Sequence, residues 1–228
     1  HLLDEIRKAF TEGNQEKAEM LTRQNFNSEV SYDADGETPF RFGSFTTMGE
    51  FYVETGLNII GMSDYKRILS LDSAMAVVQF KKDHVVYQRN YFISYPANVM
   101  VMRFSADQPG KQNLVFSYAP NPVSTGNMAS DSNKGLVYSA SLDNNGMKYV
   151  VRIQAETKGG TLSNADGKLM VKGADEVVFY ITADTDYKPD FDPDFKDPKT
   201  YVGVNPEETT KEWMNNAVSQ GYTALFSQ

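Results

Sequence analysis

The chain has 228 residues, of which 40% are hydrophobic and 23% are charged, and its formal net charge is −8. This composition is typical of a globular protein, and the length allows one large β domain or two small ones with a substantial core. The acidic balance argues against nucleic acid or an anionic membrane surface as a partner. Because the chain has no cysteine, disulfides, thiolate zinc sites and cysteine nucleophiles are excluded. No apolar run reaches the roughly 18 residues of a membrane-spanning helix.

The first residues predict a pair of helices. Apolar side chains at helical spacing indicate a helix over Leu2–Thr11 that ends at Gly13, and Asn14 can cap a second helix over Gln15–Asn25. We expect both helices to pack on the domain. Because His1 is not an initiator Met and the first helix has no cap before it, we expect the sequence to be a fragment of a longer protein, cut at both ends.

The block Asp64–Asp107 predicts four strands and organises the rest of the chain. Apolar residues alternate through it, with a turn or bulge near Asp72-Ser73 and a turn at Lys82-Asp83. Strands that are apolar on both faces are typical of strands covered on both faces. We therefore expect this block at the centre of a two-layer β structure. Before it, a polar segment, Asn27–Thr47, has a turn at Asp35-Gly36 and precedes a strand over Glu50–Ile59.

The β pattern continues after this block. Residues 114–118 alternate as a strand, and a long polar loop over Ala119–Lys134 follows. The sequence Asp143–Gly146 is a strong hairpin signal between two strands. Many short strands with turns at short intervals predict a sandwich. The remaining predicted strands are Leu136–Leu142, Met147–Ala155, Thr161–Ser163, Lys168–Lys172 and Val177–Thr182.

The composition of the chain changes in its last segment. Residues Asp184–Thr200 are acidic and rich in proline, and then Asn205 caps a helix that has Pro206 at its first position and ends at Gly221. A further helix begins near Tyr222. We predict a β domain over residues 1–200 and a helical linker over 201–228. The apolar face of the linker helix consists of Trp213, Met214, Ala217 and Val218.

Candidate chemistry is sparse in this sequence. His84 begins a strand, where a solvated or hydrogen-bonded role is favoured over catalysis, and no Gly-x-Ser-x-Gly elbow or phosphate-binding loop is present. The acidic run Asp184–Asp194 has three interpretations: a solvated loop, which we favour, a calcium site, or a loop facing carbohydrate. We predict no catalytic residue, no metal site and no cofactor, and the substrate-binding residues stay open.

Several short motifs follow one another along nearly the whole chain. The strongest is Asp64–Ala74, and the first are Ile6–Phe10 and Glu12-Gly13-Asn14 with Ala18. The others are Gly49–Val53, Tyr87–Phe92, Ser94-Tyr95-Pro96, Val99–Arg103, Ala106-Asp107, Pro109-Gly110, Gly159-Gly160, Gly173-Ala174-Asp175, Thr185-Asp186-Tyr187, Tyr222 and Leu225. In this order they resemble the N-terminal domain of family 95 glycoside hydrolases, the α-L-fucosidase and α-L-galactosidase group. Asn90 departs from that pattern, because the family usually has an acidic residue after the arginine.

The resemblance implies a β-supersandwich of antiparallel sheets, with a helix pair near the N-terminus and a C-terminal linker helix. In that family the domain precedes an (α/α)₆ barrel, which holds the general acid and the residues that activate water. We therefore expect a non-catalytic N-terminal domain that packs against and supports this barrel in a hydrolase of α-L-fucosides or α-L-galactosides of complex glycans. The resemblance also implies an oligosaccharide substrate for the parent and a secreted or periplasmic location.

Two alternatives to a supporting domain stay open. An independent carbohydrate-binding module would present a surface platform of aromatic residues, and a structural or adhesion domain would bind no sugar. A supporting domain predicts an exposed apolar patch where the barrel docks, and we expect this patch to involve Trp213 and its helix. The sugar, the linkage and the oligomeric state are not readable from the sequence.

Overall fold

The computed structural model describes residues 2–26, 46–143, 145–189 and 201–228. The chain divides into two compact units, His1–Thr46 and Thr47–Gln228. The predicted turn at Asp35-Gly36 lies outside the described residues, as does the stretch 190–200 of the acidic segment. The predicted boundary between a β domain over residues 1–200 and a linker over 201–228 stays a prediction.

The first unit contains the expected helix pair, α1 over Leu2–Thr11 and α2 over Gln15–Phe26. The side chain of Asn14 accepts a hydrogen bond of 3.1 Å from the backbone N–H of Lys17, as an N-cap residue does. Gly13 adopts a positive φ of 72°, which a glycine tolerates at the end of a helix. The apolar side chains between the two helices are Ile6, Ala9, Ala18, Leu2 and Leu21.

The second unit, in the part of it that the structure describes, consists of twelve antiparallel strands in two sheets and one helix. The larger sheet has eight strands in the order β2-β3-β4-β5-β12-β9-β8-β7, and the smaller has four in the order β1-β6-β11-β10. The strands are β1 Gly49–Glu54, β2 Ser63–Ser70, β3 Met75–Lys82, β4 Val85–Ser94, β5 Val99–Ala106, β6 Gln112–Pro120, β7 Ser124–Ser130, β8 Gly135–Leu142, β9 Lys148–Lys158, β10 Thr161–Ala165, β11 Lys168–Ala174 and β12 Glu176–Thr185. The predicted mainly-β sandwich is confirmed.

The main core lies between the two sheets. Phe116 of β6 stacks on Phe179 of β12 with ring centroids 4.6 Å apart, and Phe104 of β5 meets Phe179 edge-on at 5.9 Å. The alternating residues of the strands supply this face, because successive side chains of a strand point to opposite sides. Other fully buried members are Leu136, Val151, Ile153, Ala155, Leu169, Ala174 and Val177.

A helix covers the outer face of the large sheet. Helix α3, Pro206–Phe226, contacts β12, β9, β5 and β4. Its buried residues Met214, Ala217 and Leu225 pack against the outer-facing residues Phe92, Val99, Val101, Val178 and Tyr180. The predicted cap is confirmed, because the side chain of Asn205 accepts a hydrogen bond of 3.1 Å from the N–H of Glu207. The predicted break is also confirmed, since Gly221 has a non-helical φ of 72° and ψ of 170°.

Two predicted elements near the sandwich are wrong. The strand expected over Glu50–Ile59 ends at Glu54, because the residues after it leave the sheet and Leu57 and Met62 pack beside Phe80 and Tyr87. The loop expected over Ala119–Lys134 contains an edge strand, β7. This strand consists of small and polar residues, and pairing with β8 along its whole length forms it without any apolar alternation.

The centre of the large sheet also differs from the prediction. Strands β5 and β12 lie in the middle and are covered on both faces, whereas β2 is an edge strand whose residues are almost all exposed. The block Asp64–Asp107 therefore forms one half of the large sheet and not its centre. Its apolar residues at the β2 end have no partner layer among the residues that the structure describes.

Candidate functional site

A cluster of exposed apolar side chains lies at the end of the large sheet where β2 and β4 terminate. Leu69 is 69% exposed and Leu71 is 84% exposed, while Ile93 and Tyr95 are exposed to 70% and 88%. We call these four residues the β2–β4 surface. Leu69 pairs with Ala76, which pairs with Tyr91, and Ile93 lies two residues further along the same face.

The β2–β4 surface continues directly from the core. Tyr91 is partly buried and packs against the main core, with its ring 6.1 Å from that of Phe104. At the other end of β3 and β4, Leu57 and Met62 pack against Phe80 and Tyr87 and cover them. A large contiguous apolar area on a protein surface marks a contact with another protein or domain. This surface is therefore the candidate functional site of the described residues.

A buried ion-pair network holds the first turn of α3 on the sheet. The side chain of Arg152 is 6% exposed and lies on the outer face of β9. Its Nη1 donates to the carboxylate of Asp131, and its Nη2 donates to Oε2 of Glu207 at 3.1 Å. Ser139 of β8 donates its hydroxyl proton to the other carboxylate oxygen of Glu207. The helix is thereby tied to β8 and β9 by charge-assisted hydrogen bonds.

A second network holds the far end of α3. Arg103 of β5 donates to the carboxylate of Glu176, and its guanidinium lies 4.8 Å from the ring centroid of Tyr222. The hydrogen bond to Glu176 raises the pKa of Arg103. The ring of Phe92 lies 5.5 Å from that of Phe226. These contacts fix the part of the helix that follows the break at Gly221.

A groove runs between the start of α3 and strands β8 and β9. Its volume is about 340 Å³, and hydroxyl groups and two charged side chains, Lys148 and Glu207, line it. Glu207 already receives hydrogen bonds from Arg152 and Ser139. The polar groups at the base of the groove therefore hold the helix in place.

The linker helix is not where the exposed apolar residues concentrate. Trp213 is only partly exposed, and the apolar face that we predicted around it turns inward, with Met214 and Ala217 buried on the sheet. The exposed apolar residues named above therefore lie at the β2–β4 surface and not on this helix, and a docking patch at Trp213 stays a prediction. The signal in the sequence was the run of large apolar residues in β2, which we assigned to a covered strand.

His84 lies in an exposed turn between β3 and β4. Its φ is 63°, and its carbonyl oxygen accepts a hydrogen bond of 3.3 Å from the side chain of Gln108. The turn itself matches the prediction at Lys82-Asp83. The surroundings of His84 are those of a surface turn residue.

The described part of the acidic segment has a structural role. Asp186 is buried, and its carboxylate accepts a hydrogen bond of 2.9 Å from the N–H of Lys148. Beyond it, the rings of Tyr187 and Tyr201 stack with centroids 5.9 Å apart, so the two ends of the segment meet. Within residues 2–26, 46–143, 145–189 and 201–228, no group of three or more His, Asp or Glu side chains is placed to hold a metal ion. The calcium interpretation of residues 184–197 stays open, because residues 190–200 lie outside the description.

The match to a protein family decides the identity of this domain. Residues 1–190 match the family described as glycosyl hydrolase family 65, N-terminal domain. The chain belongs to this family. This family 65 N-terminal domain is also 28% identical over 202 residues to probable alpha-fucosidase A of Aspergillus niger. The aligned region covers 84% of this chain and 24% of that protein.

A solved structure shows the same fold. A putative kojibiose phosphorylase from the human microbiome superposes on this family 65 N-terminal domain with a TM-score of 0.54 at 9% identity, over 78% of this chain and 26% of that chain. The chain thus spans about a quarter of the length of these relatives. The resemblance expected from the motifs, to the N-terminal domain of an α-L-fucosidase-type glycoside hydrolase, is confirmed. None of the helices described in this domain is long and apolar enough to cross a membrane.

Proposed function

We propose that this domain is the non-catalytic N-terminal domain of a glycoside hydrolase that acts on α-L-fucosides or α-L-galactosides of complex glycans. In this proposal it packs against an (α/α)₆ catalytic domain and supports it. The observation that carries the proposal is the match of residues 1–190 to a family of N-terminal domains. The relative named probable alpha-fucosidase A supports the substrate class, and its length leaves room for a large catalytic domain.

The contacts of the carboxylates support a structural role. Hydrolysis of a glycoside by the inverting route uses two carboxyl groups about 6.5–9.5 Å apart that flank the scissile bond. Four buried or partly buried carboxylates of the strands, their connections and α3 are instead engaged in the fold. Asp131 and Glu207 bind Arg152, Glu176 binds Arg103, and Asp186 accepts the backbone N–H of Lys148.

The test compares the isolated chain with its full-length parent on aryl α-L-fucoside and aryl α-L-galactoside. We expect release of the aryl alcohol by the parent and none by the chain. Hydrolysis by the isolated chain would overturn the non-catalytic role, and Asp184 and Asp186 would be the first residues to substitute. A parent that hydrolyses neither glycoside would overturn the substrate class.

Affinity for sugar separates this role from an independent carbohydrate-binding module. We expect no heat of binding when fucosylated or galactosylated oligosaccharides are titrated into the isolated chain. Measurable binding would favour the module instead. We also propose a secreted or periplasmic location for the parent, as the family resemblance implies, and fractionation of the producing cells tests it.

A further inference from the structure

We infer that the β2–β4 surface is the docking surface for the catalytic domain that follows α3 in the full-length enzyme. The inference rests on the proposed function and adds the face of the domain that makes the contact. It concerns Leu69, Leu71, Ile93 and Tyr95, which are exposed in the structure of this chain.

The first argument is the position of these residues relative to the core. Tyr91 packs on the main core and on Phe104, while Leu69 and Ile93 extend the same face outward. Two strand spacings separate Leu69 from Ile93, a distance of about 10 Å across the sheet. The apolar layer of the sandwich thus continues past the small sheet. An additional layer that covers this end would complete it, since stacked layers bury the apolar face of a sheet.

The second argument is the place where α3 ends. The hydroxyl of Ser94 donates a hydrogen bond of 2.9 Å to the side chain of Gln228, and Ser94 lies between Ile93 and Tyr95 in the chain. The helix therefore finishes at the same end of the sheet as the β2–β4 surface but on the opposite face, because Ser94 and Ile93 are successive residues of β4. Relatives of this chain are about four times as long. In the proposed enzyme, a domain tethered at this point has a high local concentration at the surface.

The third argument is that α3 is held firmly on the sheet. Arg152 and Glu207 fix its first turn, and Arg103, Glu176 and Tyr222 fix its last part. Because both ends are held, the end of the helix has a defined position relative to the β2–β4 surface. A following domain would then meet the same face in every molecule.

The edge strand β2 is poorly suited to pairing with a second copy of the chain. Pairing of two copies through the edge strand β2 would need a regular row of free backbone groups. Strand β2 has a register shift between Ser63 and Lys66, and Asp64 adopts a positive φ of 53°. It also presents Lys66 and Arg67, and charged residues on an edge strand oppose such pairing. These features oppose pairing through the edge of the sheet, and the test below decides whether a second copy covers the face of the sheet instead.

Hydroxyl-radical footprinting of side chains tests the assignment. The oxidation rates of the four residues of the β2–β4 surface are measured in the isolated chain and in the full-length enzyme. We expect several-fold lower rates in the full-length enzyme. Ile59 and Ile60, exposed to 80% and 75% on the segment between β1 and β2, serve as controls and should react equally in both proteins.

A variant separates docking from other causes of protection. In the full-length enzyme, Ile93→Glu should restore the oxidation of Leu69, Leu71 and Tyr95 towards the rate in the isolated chain. The matched variant Ile60→Glu should leave the protection in place. Because both side chains are exposed in this chain, neither substitution should change its melting temperature.

Three outcomes would overturn the inference. They are equal oxidation rates in both proteins, protection of Ile59 and Ile60 in place of the four residues, and protection in the isolated chain that rises with its concentration. The last outcome would assign the surface to a second copy. Footprinting does not depend on hydrolysis, so it can fail or succeed whether or not the parent cleaves fucosides. The hydrolysis assay tests the proposed function, and footprinting tests the docking surface.

Discussion

Nη2 of Arg152 lies 3.1 Å from Oε2 of Glu207, although the two residues are 55 positions apart in the chain. Arg152 lies on a strand in the middle of the domain, and Glu207 lies in the first turn of α3. A guanidinium that is almost completely buried needs opposite charge nearby, because burial removes its hydration. Asp131, directly after β7, supplies one carboxylate, and α3 supplies the other. The position of the helix and the neutralisation of the buried charge therefore depend on each other.

The first prediction concerns this pair. Glu207→Ala should lower the free energy of unfolding by about 1–3 kcal/mol, because the remaining partner Asp131 and the partial exposure of Glu207 reduce the full cost of breaking a buried pair. Denaturation with urea measures the change. The matched control is Glu208→Ala in the same turn, whose side chain is exposed, and we expect a change within about 0.5 kcal/mol. Equal effects of the two substitutions would contradict the importance of the pair.

A double-mutant cycle makes the test specific. Combining Glu207→Ala with Arg152→Met removes both charges, so the second substitution should cost less in the double variant than alone. A coupling energy near zero would show that the two side chains act independently. The cycle thereby distinguishes the ion pair from loss of packing by either residue.

Most strands and helices of the fold could be predicted from the spacing of apolar residues and from cap residues. Strict alternation through Met147–Ala155 predicts β9, and Asn205 with Pro206 predicts the start of α3. Strand β7 was missed because its residues are small and polar, and its pairing partner β8 determines its conformation. Gly126 in that strand faces Ala140 so closely that an added Cβ would lie 2.4 Å from the Cβ of Ala140. Such a requirement is set by a neighbouring strand and has no local signal.

The sequence predicted that an exposed apolar patch exists, but not which residues form it. A domain that supports another predicts an exposed apolar patch, and the structure contains one. Its location could not be derived, because the exposure of Leu69 and Ile93 depends on where the small sheet ends. The role of Arg152 was also missed. Its signal was an arginine between the apolar residues Val151 and Ile153 of β9, and its partners come from distant segments.

The second prediction concerns the packing of the last part of α3. Leu225 is buried against the outer face of the large sheet, in the cluster that includes Phe92 and Val99. Leu225→Ala should reduce the free energy of unfolding by about 2–5 kcal/mol, because it removes apolar contacts and leaves a cavity. Thermal and urea denaturation measure this loss of stability. The neighbouring exposed residue Thr223 provides the control substitution Thr223→Ala, and a similar loss for both variants would contradict the packing argument.

The third prediction concerns the break in α3 at Gly221. Its φ of 72° and ψ of 170° are accessible almost only to glycine. An added Cβ would meet no atom within 4 Å, so the cost of a substitution comes from the backbone alone. Gly221→Ala should lower the free energy of unfolding by about 1–3 kcal/mol.

The control for Gly221 is an exposed position within the regular helix. Asn215→Ala should leave the stability unchanged or raise it slightly, because alanine favours the helix more than asparagine does. Unchanged stability of Gly221→Ala would mean that the helix straightens at no cost. The contacts of Phe92 with Tyr222 and Phe226 would then be lost, and near-ultraviolet circular dichroism would report the change.

The fourth prediction concerns alkaline pH. Burial raises the pKa of Tyr118 above its usual value of 10.0, and burial together with the nearby Glu156 carboxylate raises the pKa of Tyr180. The hydroxyl of Tyr118 donates to the carbonyl of Met48, and that of Tyr180 donates to Glu156 at 3.0 Å. Both groups are therefore protonated in the folded chain under conditions in which the unfolded chain loses its tyrosine protons.

The sign of the effect follows from proton binding. Above pH 10 the folded state binds more protons at these tyrosines than the unfolded state, so the free energy of unfolding falls as the pH rises. Each tyrosine contributes a slope of up to about 1.4 kcal/mol per pH unit in this range. The contribution is constant below pH 10, where both states are protonated. Urea denaturation between pH 8 and pH 11.5, a window set at roughly 2 units around the usual tyrosine pKa, measures the slope.

Substitution of Tyr118 isolates its share of this slope. Tyr118→Phe should lower stability at pH 8 by about 1 kcal/mol, since it removes the hydrogen bond to Met48, and should make the decline above pH 10 less steep by about 1.4 kcal/mol per pH unit at most. The matched control is Tyr95→Phe at the exposed tyrosine of the β2–β4 surface, and it should leave the slope unchanged. Parallel curves for the wild type and Tyr118→Phe would contradict the prediction, because the buried phenol would then ionise equally in both states.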